Sequence, residues 1–479
     1  MGKGELMGKT LRRRGPATTV MALTMAMALL LAACASDDGA DTATDTTAAA
    51  ATDKTGDGTA SGNTINVPED YPTIQEAVNA AAPGDLILIA PGVYNEAVDV
   101  ETDDLTIRGL DRNEVILDGE FELTNGFKVV GANGVTLENM TARQYTSNAF
   151  FWTGVDGYRG SYLTSYRTGD YGIYAFDSVN GQLEASYASG SRDAGFYIGQ
   201  CYPCDAVIDD VISEWNGLGY SGTNAGGNLL IINSVFRQNR AGIVPNTGSY
   251  ELCYPQRETT IVGNTVYDNQ NSETPAIDAA MLAMGNGILI AGGNNNIVER
   301  NLVFDHERTG IGVVPFPEEG ASDVPDPDAD LTLPCSEAPE PTVDPADIPE
   351  TLLWSARGNR IIGNKVSDSG IADIAVGDIG GDLASLGNCF SDNEAATSAP
   401  LDLQTLAPCD GTGSGDWTAG ELDLLELIAT ERPPEKDWKT TPEPGPQPNM
   451  PDAATAPGEP ARDMPRSVDL ASIGMPSAP

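Results

Sequence analysis

The chain is 479 residues long, with 70 Asp and Glu against 26 Lys and Arg and a formal net charge of −44. Phosphate contacts need a basic surface, so nucleic acid is excluded as a partner. The same sign opposes a polyanionic substrate unless bound cations bridge the two.

In chain order, Arg12, Arg13 and Arg14 precede an apolar stretch from Val20 to Ala33 that is too short to span a bilayer comfortably and ends in small residues. Residues 1–33 therefore read as an export signal. Leu31-Ala32-Ala33-Cys34 resembles a bacterial lipoprotein box. That resemblance implies lipidation at Cys34 and a protein anchored to the outer face of a bacterial membrane without crossing it. Residues 34–63 collapse to Ala, Thr, Asp and Gly, the composition of a disordered, solvated tether.

The ordered part opens with Ile65-Asn66-Val67. Thr73 and Glu76 then have capping-box spacing, and Ile74, Ala77, Val78 and Ala81 form one face of a short helix that plugs the first rung. Strand-like runs follow at Leu86 to Ile89, Leu105 to Arg108 and Val115 to Leu117, each bounded by Gly, Asp or Asn. Beyond them an asparagine opens a short apolar stretch six times, at Asn139, Asn233, Asn264, Asn301, Asn364 and Asn388. The same phrase recurs without asparagine near Ser161, Ala185 and Asp210, in steps of roughly 22 to 25 residues. A repeat of that length, built from brief β-branched runs, is the signature of a solenoid of stacked strands. The asparagines read as a ladder of amides that satisfy one another along the axis.

Thr73-Ile-Gln-Glu-Ala-Val-Asn-Ala, Gly84-Asp85, and Ile89-Ala-Pro91-Gly92-Val93-Tyr94 with Glu96 resemble the start of right-handed parallel β-helix proteins of the pectin-lyase-like superfamily. The resemblance implies an all-β, single-stranded right-handed parallel β-helix over residues 64–395. Gly92-Val93-Tyr94-Asn95-Glu96 is similar to a segment of pectin methylesterases that recurs in members without esterase activity. Residues 396–431 form a C-terminal cap region, where Leu422, Leu425 and Ile428 lie at helix-like intervals. Residues 432–479 are rich in Pro with scattered charge and are expected to be disordered.

Each rung carries a glycine at the head of one strand: Gly172, Gly195, Gly219, Gly242, Gly287 and Gly310. Strand alternation points the next residue inward and the one after it to solvent. The outward column is then Tyr174, Tyr197, Ser221, Val244, Leu289 and Gly312. Insertions leave the barrel directly after this strand, at Gln200 to Cys204, Asn246 to Gln256 and the acidic, Pro-rich 315–350. Besides Cys34, the six cysteines Cys201, Cys204, Cys253, Cys335, Cys389 and Cys409 suit disulfides in an exported chain. Cross-loop bridges along this corner fit the spacing, Cys389 and Cys409 sit together at the C-terminal end, and the pairing stays open.

Asp170 and Asp193 fall one rung apart just before this strand, with backbones roughly 5 Å apart. Carboxylates that close divide acid and base roles in glycosidases. They also suit calcium, or turns in which they bond neighbouring amides. Tyr171, Tyr174 and Tyr197 beside them offer apolar faces with polar handles, which suits sugar binding together with Arg240. Gly169-Asp170-Tyr171-Gly172-Ile173 is similar to the aspartate-bearing strand of polygalacturonase-like β-helices, but the histidine and Arg/Lys motifs of that family are absent. The lone His306 reads as a surface residue beside a turn. The expectation is a monomeric, lipid-anchored β-helix that binds polysaccharide, acting as hydrolase or lyase if it processes it. The alternative is a non-catalytic surface scaffold or envelope-assembly factor.

Overall fold

The computed structural model describes residues 62–322, Cys335 and 348–479. The export signal, Cys34, the tether up to residue 61 and most of the acidic insertion lie outside the described residues. Among the described residues no helix is long and apolar enough to cross a membrane.

Short strands dominated by Ile, Val, Leu and Phe stack rung on rung into a right-handed parallel β-helix. One face is an 11-stranded sheet running from Val98–Val100 to Ser398–Ala399. The other two faces are fused into a 21-stranded sheet because the long strands Val135–Arg143 and Asp156–Thr168 bend through the corner and pair with both ladders. Every pairing in both sheets is parallel; the antiparallel exception, outside them, joins Phe316–Glu319 to Thr351–Trp354.

The register is the one the glycines imply. Phe150, Ile173, Phe196, Tyr220, Ile243, Ile288 and Ile311 form one inward file, each fully buried. The glycines let the rungs close up. A Cβ at Gly172, Gly219 or Gly287 would meet the carbonyl oxygen of the next rung's glycine, Gly195, Gly242 or Gly310, at 2.5 to 2.6 Å.

The asparagine series divides into parallel ladders. Asn264, Asn301, Asn364 and Asn393 each accept at Oδ1 from the backbone N–H of the preceding member, the first from Ser234. Asn296, Asn359 and Asn388 form a second ladder on the other side of the same strands. A third runs through Asn216, Asn239 and Asn269, and His306 closes it by accepting the Asn269 N–H at Nδ1, 3.4 Å away. His306 is therefore buried and structural rather than a surface residue, and burial lowers its pKa to about 4. Asn139 and Asn233 do a different job. Both occupy left-handed corner positions, with φ of 57° and 49°, where asparagine is tolerated better than most residues.

The N-terminal helix Ile74–Ala80 is capped by Thr73, and Glu96 accepts from the Ile74 and Gln75 N–H groups at 3.1 and 3.0 Å. The Glu96 segment thus shapes the first rung. At the far end Leu403–Leu406 covers the last rung, while Leu424–Ala429 lies against the outer face of the 11-stranded sheet. The three disulfides are Cys201–Cys204, Cys253–Cys335 and Cys389–Cys409. One bridges two loops, whereas Cys201 and Cys204 close within their own.

The Pro-rich end departs most from expectation. Residues 433–479 form a strap that runs down the outside of the solenoid and back. Arg108 donates to the carbonyls of Ala453, Ala456 and Pro457, Arg112 to Pro448, Arg167 to Thr441, and Arg300 to Leu470 and Ile473. Ile473 packs on Val207, Leu230, Ile232 and Val262. Composition argues for disorder because such a segment has little apolar surface of its own. Prolines, however, supply no N–H and leave carbonyls available to guanidinium forks, and the rungs present those forks in rows.

Candidate functional site

The outward file of the 11-stranded sheet reads Lys128, Phe151, Tyr174, Tyr197, Ser221, Val244, as alternation requires. Where aromatic residues follow one another on this file, the 4.8 Å rung spacing forces ring contact. Phe151 stacks on Tyr174 at 4.7 Å between centroids, and Tyr171 stacks on Tyr174 at 4.4 Å with planes 4° apart. Tyr197 tilts against both, at 4.7 and 4.9 Å.

Carboxyl groups converge on this cluster. Asp193 is 9 % exposed and takes a hydrogen bond from the Tyr171 hydroxyl. Burial raises its pKa to about 7; Tyr171 opposes the shift, and the neighbouring Asp170 adds to it. Asp170 is raised by burial as well, with Ser147 and Arg192 pulling the other way. Its side chain opens into a cleft of about 870 Å³ between the solenoid at Thr146 and Arg192 and the strap at Glu435 to Trp438. The pair thus stays close and electrostatically coupled, as its spacing implies.

A third carboxyl was not legible in the sequence. Glu251, in the loop after the Ala241–Asn246 strand, accepts from the Tyr197 hydroxyl at 2.5 Å. Burial raises its pKa to about 8, with Asp193 contributing further. Its Oε2 is buried with no hydrogen-bond partner among the described residues. The loop is pinned over the tyrosines by Gln200, which accepts from Leu252 N–H at 2.9 Å, and by the buried Glu318, which accepts from Ser249 and from Trp354 Nε1. The Cys253–Cys335 bridge adds a covalent tie. The sequence signal was the loop's departure one rung beyond Ser221; its return over Tyr197 is a tertiary event.

Past Tyr197 the strip runs into a narrow apolar groove over Leu218, Val244 and Leu289, walled by the helix Asp278–Ala283, Phe316 and Leu424. Arg240 does not join the strip. It is fully buried and donates to the carbonyls of Ser272, Thr274, Pro433 and Pro434, so it anchors the strap instead of presenting a charge to a ligand. Among the described residues no group of three or more His, Cys, Asp or Glu is placed to hold a metal ion.

With this geometry in hand, residues 148–315 match the family described as a right handed beta helix region. No curated protein matches the sequence. Solved structures similar in fold include the Azotobacter vinelandii mannuronan C-5 epimerase AlgE4 A-module, at 14 % identity and a TM-score of 0.44, covering 74 % of this chain and 97 % of that one. A rhamnogalacturonan lyase gives 14 % identity and 0.46, covering 82 % and 98 %. Pectate lyase Pel9A gives 12 % and 0.36, covering 79 % and 84 %. The fold is a right-handed parallel β-helix, and these likenesses say nothing of this chain's role.

Proposed function

We propose that the protein is a lipid-anchored β-helix outside the cytoplasm that binds polysaccharide along the strip formed by Phe151 and Tyr174, with Tyr197 buried behind it under the Glu251 loop. One observation carries this reading: three tyrosines in mutual ring contact lie beside three carboxyl groups, and among the described residues neither Asp170 nor Asp193 spends its carboxylate on a loop amide. Aromatic faces bind the apolar side of a sugar ring, and carboxyls exchange hydrogen bonds with its hydroxyls. Rungs at about 4.8 Å intervals extend this surface along an axis, which suits a linear chain.

Asp193 and Glu251, held near neutrality, are the groups that would move a proton if the bound chain is cleaved. The test is a panel of polysaccharides assayed for binding, for new reducing ends and for unsaturated products. Tyr174→Ala should weaken binding roughly tenfold, equivalent to about 1.4 kcal/mol. Any cleavage should disappear in Asp193→Asn. Binding that ignores both substitutions would place the site elsewhere.

A further inference from the structure

Among the described residues, Arg192, Arg240, Arg308 and Lys436, the cations beside the tyrosines, the aspartates and the apolar groove, are already engaged. Arg192, beside Asp170, donates through Nε and Nη2 to both oxygens of Glu435 at 2.9 and 3.1 Å. Lys436 in the same cleft pairs with Glu273 at 3.3 Å. Arg240 is spent on strap and loop carbonyls, and Arg308, at the apolar groove, donates to the carbonyls of Leu282 and Leu427. Lys128 is the exception at the strip's edge: it stands one rung from Phe151 and two rungs, roughly 10 Å, from Tyr174, with Asp99 as its in-register neighbour on the other side. Against these stand Asp170, Asp193 and Glu251.

We infer, resting on the glycan reading above, that the polysaccharide this strip accepts is uncharged: a neutral glycan and not a polyuronate. A uronate chain carries a carboxylate on every ring, and recognition of it calls for guanidinium forks or bridging cations. Here the forks face carbonyls or Glu435, and the chain's net charge is −44. A neutral ring asks for something else. Its hydroxyls need partners that both donate and accept, which a carboxyl can do when it holds its proton. Burial favours that state on Asp193 and Glu251, raising their pKa values to about 7 and about 8, so that each carries a protonated fraction at neutral pH. The Glu251 Oε2 is sealed and has no hydrogen-bond partner among the described residues, which leaves it an acceptor still to be matched.

The experiment compares the full-length protein with neutral chains (arabinoxylan, galactan, a mixed-linkage glucan) and acidic ones (polygalacturonate, alginate) by affinity electrophoresis and calorimetry. It is run with and without EDTA and from roughly 10 mM to 1 M salt, across which screening lengths fall from about 30 to 3 Å. At least one neutral chain should bind, independently of salt and EDTA, and lose roughly tenfold in affinity in Tyr174→Ala. Phe151→Leu gives a second reading of the strip should that variant fold poorly. Glu435→Gln releases Arg192 and should raise polyuronate affinity severalfold from a low baseline. Tyr174-dependent binding of acidic chains in preference to neutral ones would overturn this inference while leaving the glycan reading intact. Binding of neither class in a manner that depends on Tyr174 or Phe151 would overturn the glycan reading and this inference with it.

Discussion

Two faces of the same solenoid handle buried charge in opposite ways. Beneath the strap, Arg108 and Glu138 are at most 1 % exposed and lie 2.6 Å apart, and the remaining guanidinium donors reach strap carbonyls. Glu138 also receives Arg159 at 3.0 Å, so both its oxygens are matched. On the tyrosine face the carboxyls are just as close to the barrel, yet a tyrosine hydroxyl is the principal partner of Asp193 and of Glu251. Both faces use one backbone and one rung spacing. Complete pairing makes a buried charge a structural tie, whereas incomplete pairing leaves a pKa displaced toward neutrality, where proton exchange with a ligand is easiest.

The sharpest way to break this contrast is to remove residues 433–479. Arg108, Arg112 and Arg240 would each lose carbonyl partners, and a buried charge stripped of its partner costs about 3–5 kcal/mol. The expected outcome is loss of most of a domain's roughly 5–15 kcal/mol of stability, read by urea denaturation and proteolysis. A truncated protein as stable as the full chain would show the strap to be an accessory.

Glu138→Gln probes the same face at a single point. It leaves Arg108 and Arg159 without their shared carboxylate and should cost about 3–5 kcal/mol.

Asp193→Asn should act in the other direction. Below about pH 4 an ordinary aspartate is protonated in both folded and unfolded chains, so the side chain contributes no difference. Between there and about pH 7 the unfolded chain ionises while the folded one does not, so stability falls as pH rises. Above about pH 7 the deficit levels off at a few kcal/mol, at about 1.4 kcal/mol per pKa unit. The asparagine variant lacks this loss and should be the more stable protein at pH 8, with the gap closing toward pH 4. Denaturation midpoints across that range check it.

Tyr174→Ala removes ring contacts with Phe151, Tyr171, Phe176 and Tyr197 but should lower stability by only about 1–2 kcal/mol, because the side chain is part-exposed, while weakening glycan binding roughly tenfold. A large stability cost with unchanged binding would move Tyr174 to the structural side of the comparison.

His306→Asn should have the smallest effect, within about 1 kcal/mol at pH 7, because an asparagine continues the Asn216–Asn239–Asn269 ladder. The difference should appear in acid. With a folded pKa lowered to about 4, the wild type loses stability as pH falls below about 6.5, and the variant should not.

Much of the architecture was legible because it is periodic. The glycine at the head of each rung set the alternation, and alternation turned Tyr174 and Tyr197 away from the core with Ile173 and Phe196 inward, as the register shows; Tyr197 nonetheless does not reach solvent, because the Glu251 loop buries it. Proximity of Asp170 and Asp193 followed from the same period. Arg240 was misplaced because it stands two positions before its strand glycine, Gly242, as Asp170 and Asp193 stand before Gly172 and Gly195, and such a column tells which way a residue starts from the backbone but not what covers it. Glu251 was overlooked because its loop has no period at all.

The amino-acid sequence by itself determined the solenoid, its register and the strip on which tyrosines and aspartates meet, since local alternation and a fixed repeat length leave the backbone little choice. Only the tertiary structure decided that a Pro-rich tail becomes a strap, that Arg192 and Arg240 are spent on it and that Glu251 closes over Tyr197. Those outcomes depend on contacts between segments tens to hundreds of residues apart, where a side chain's role is set by the partner that arrives and not by its own neighbours in the chain.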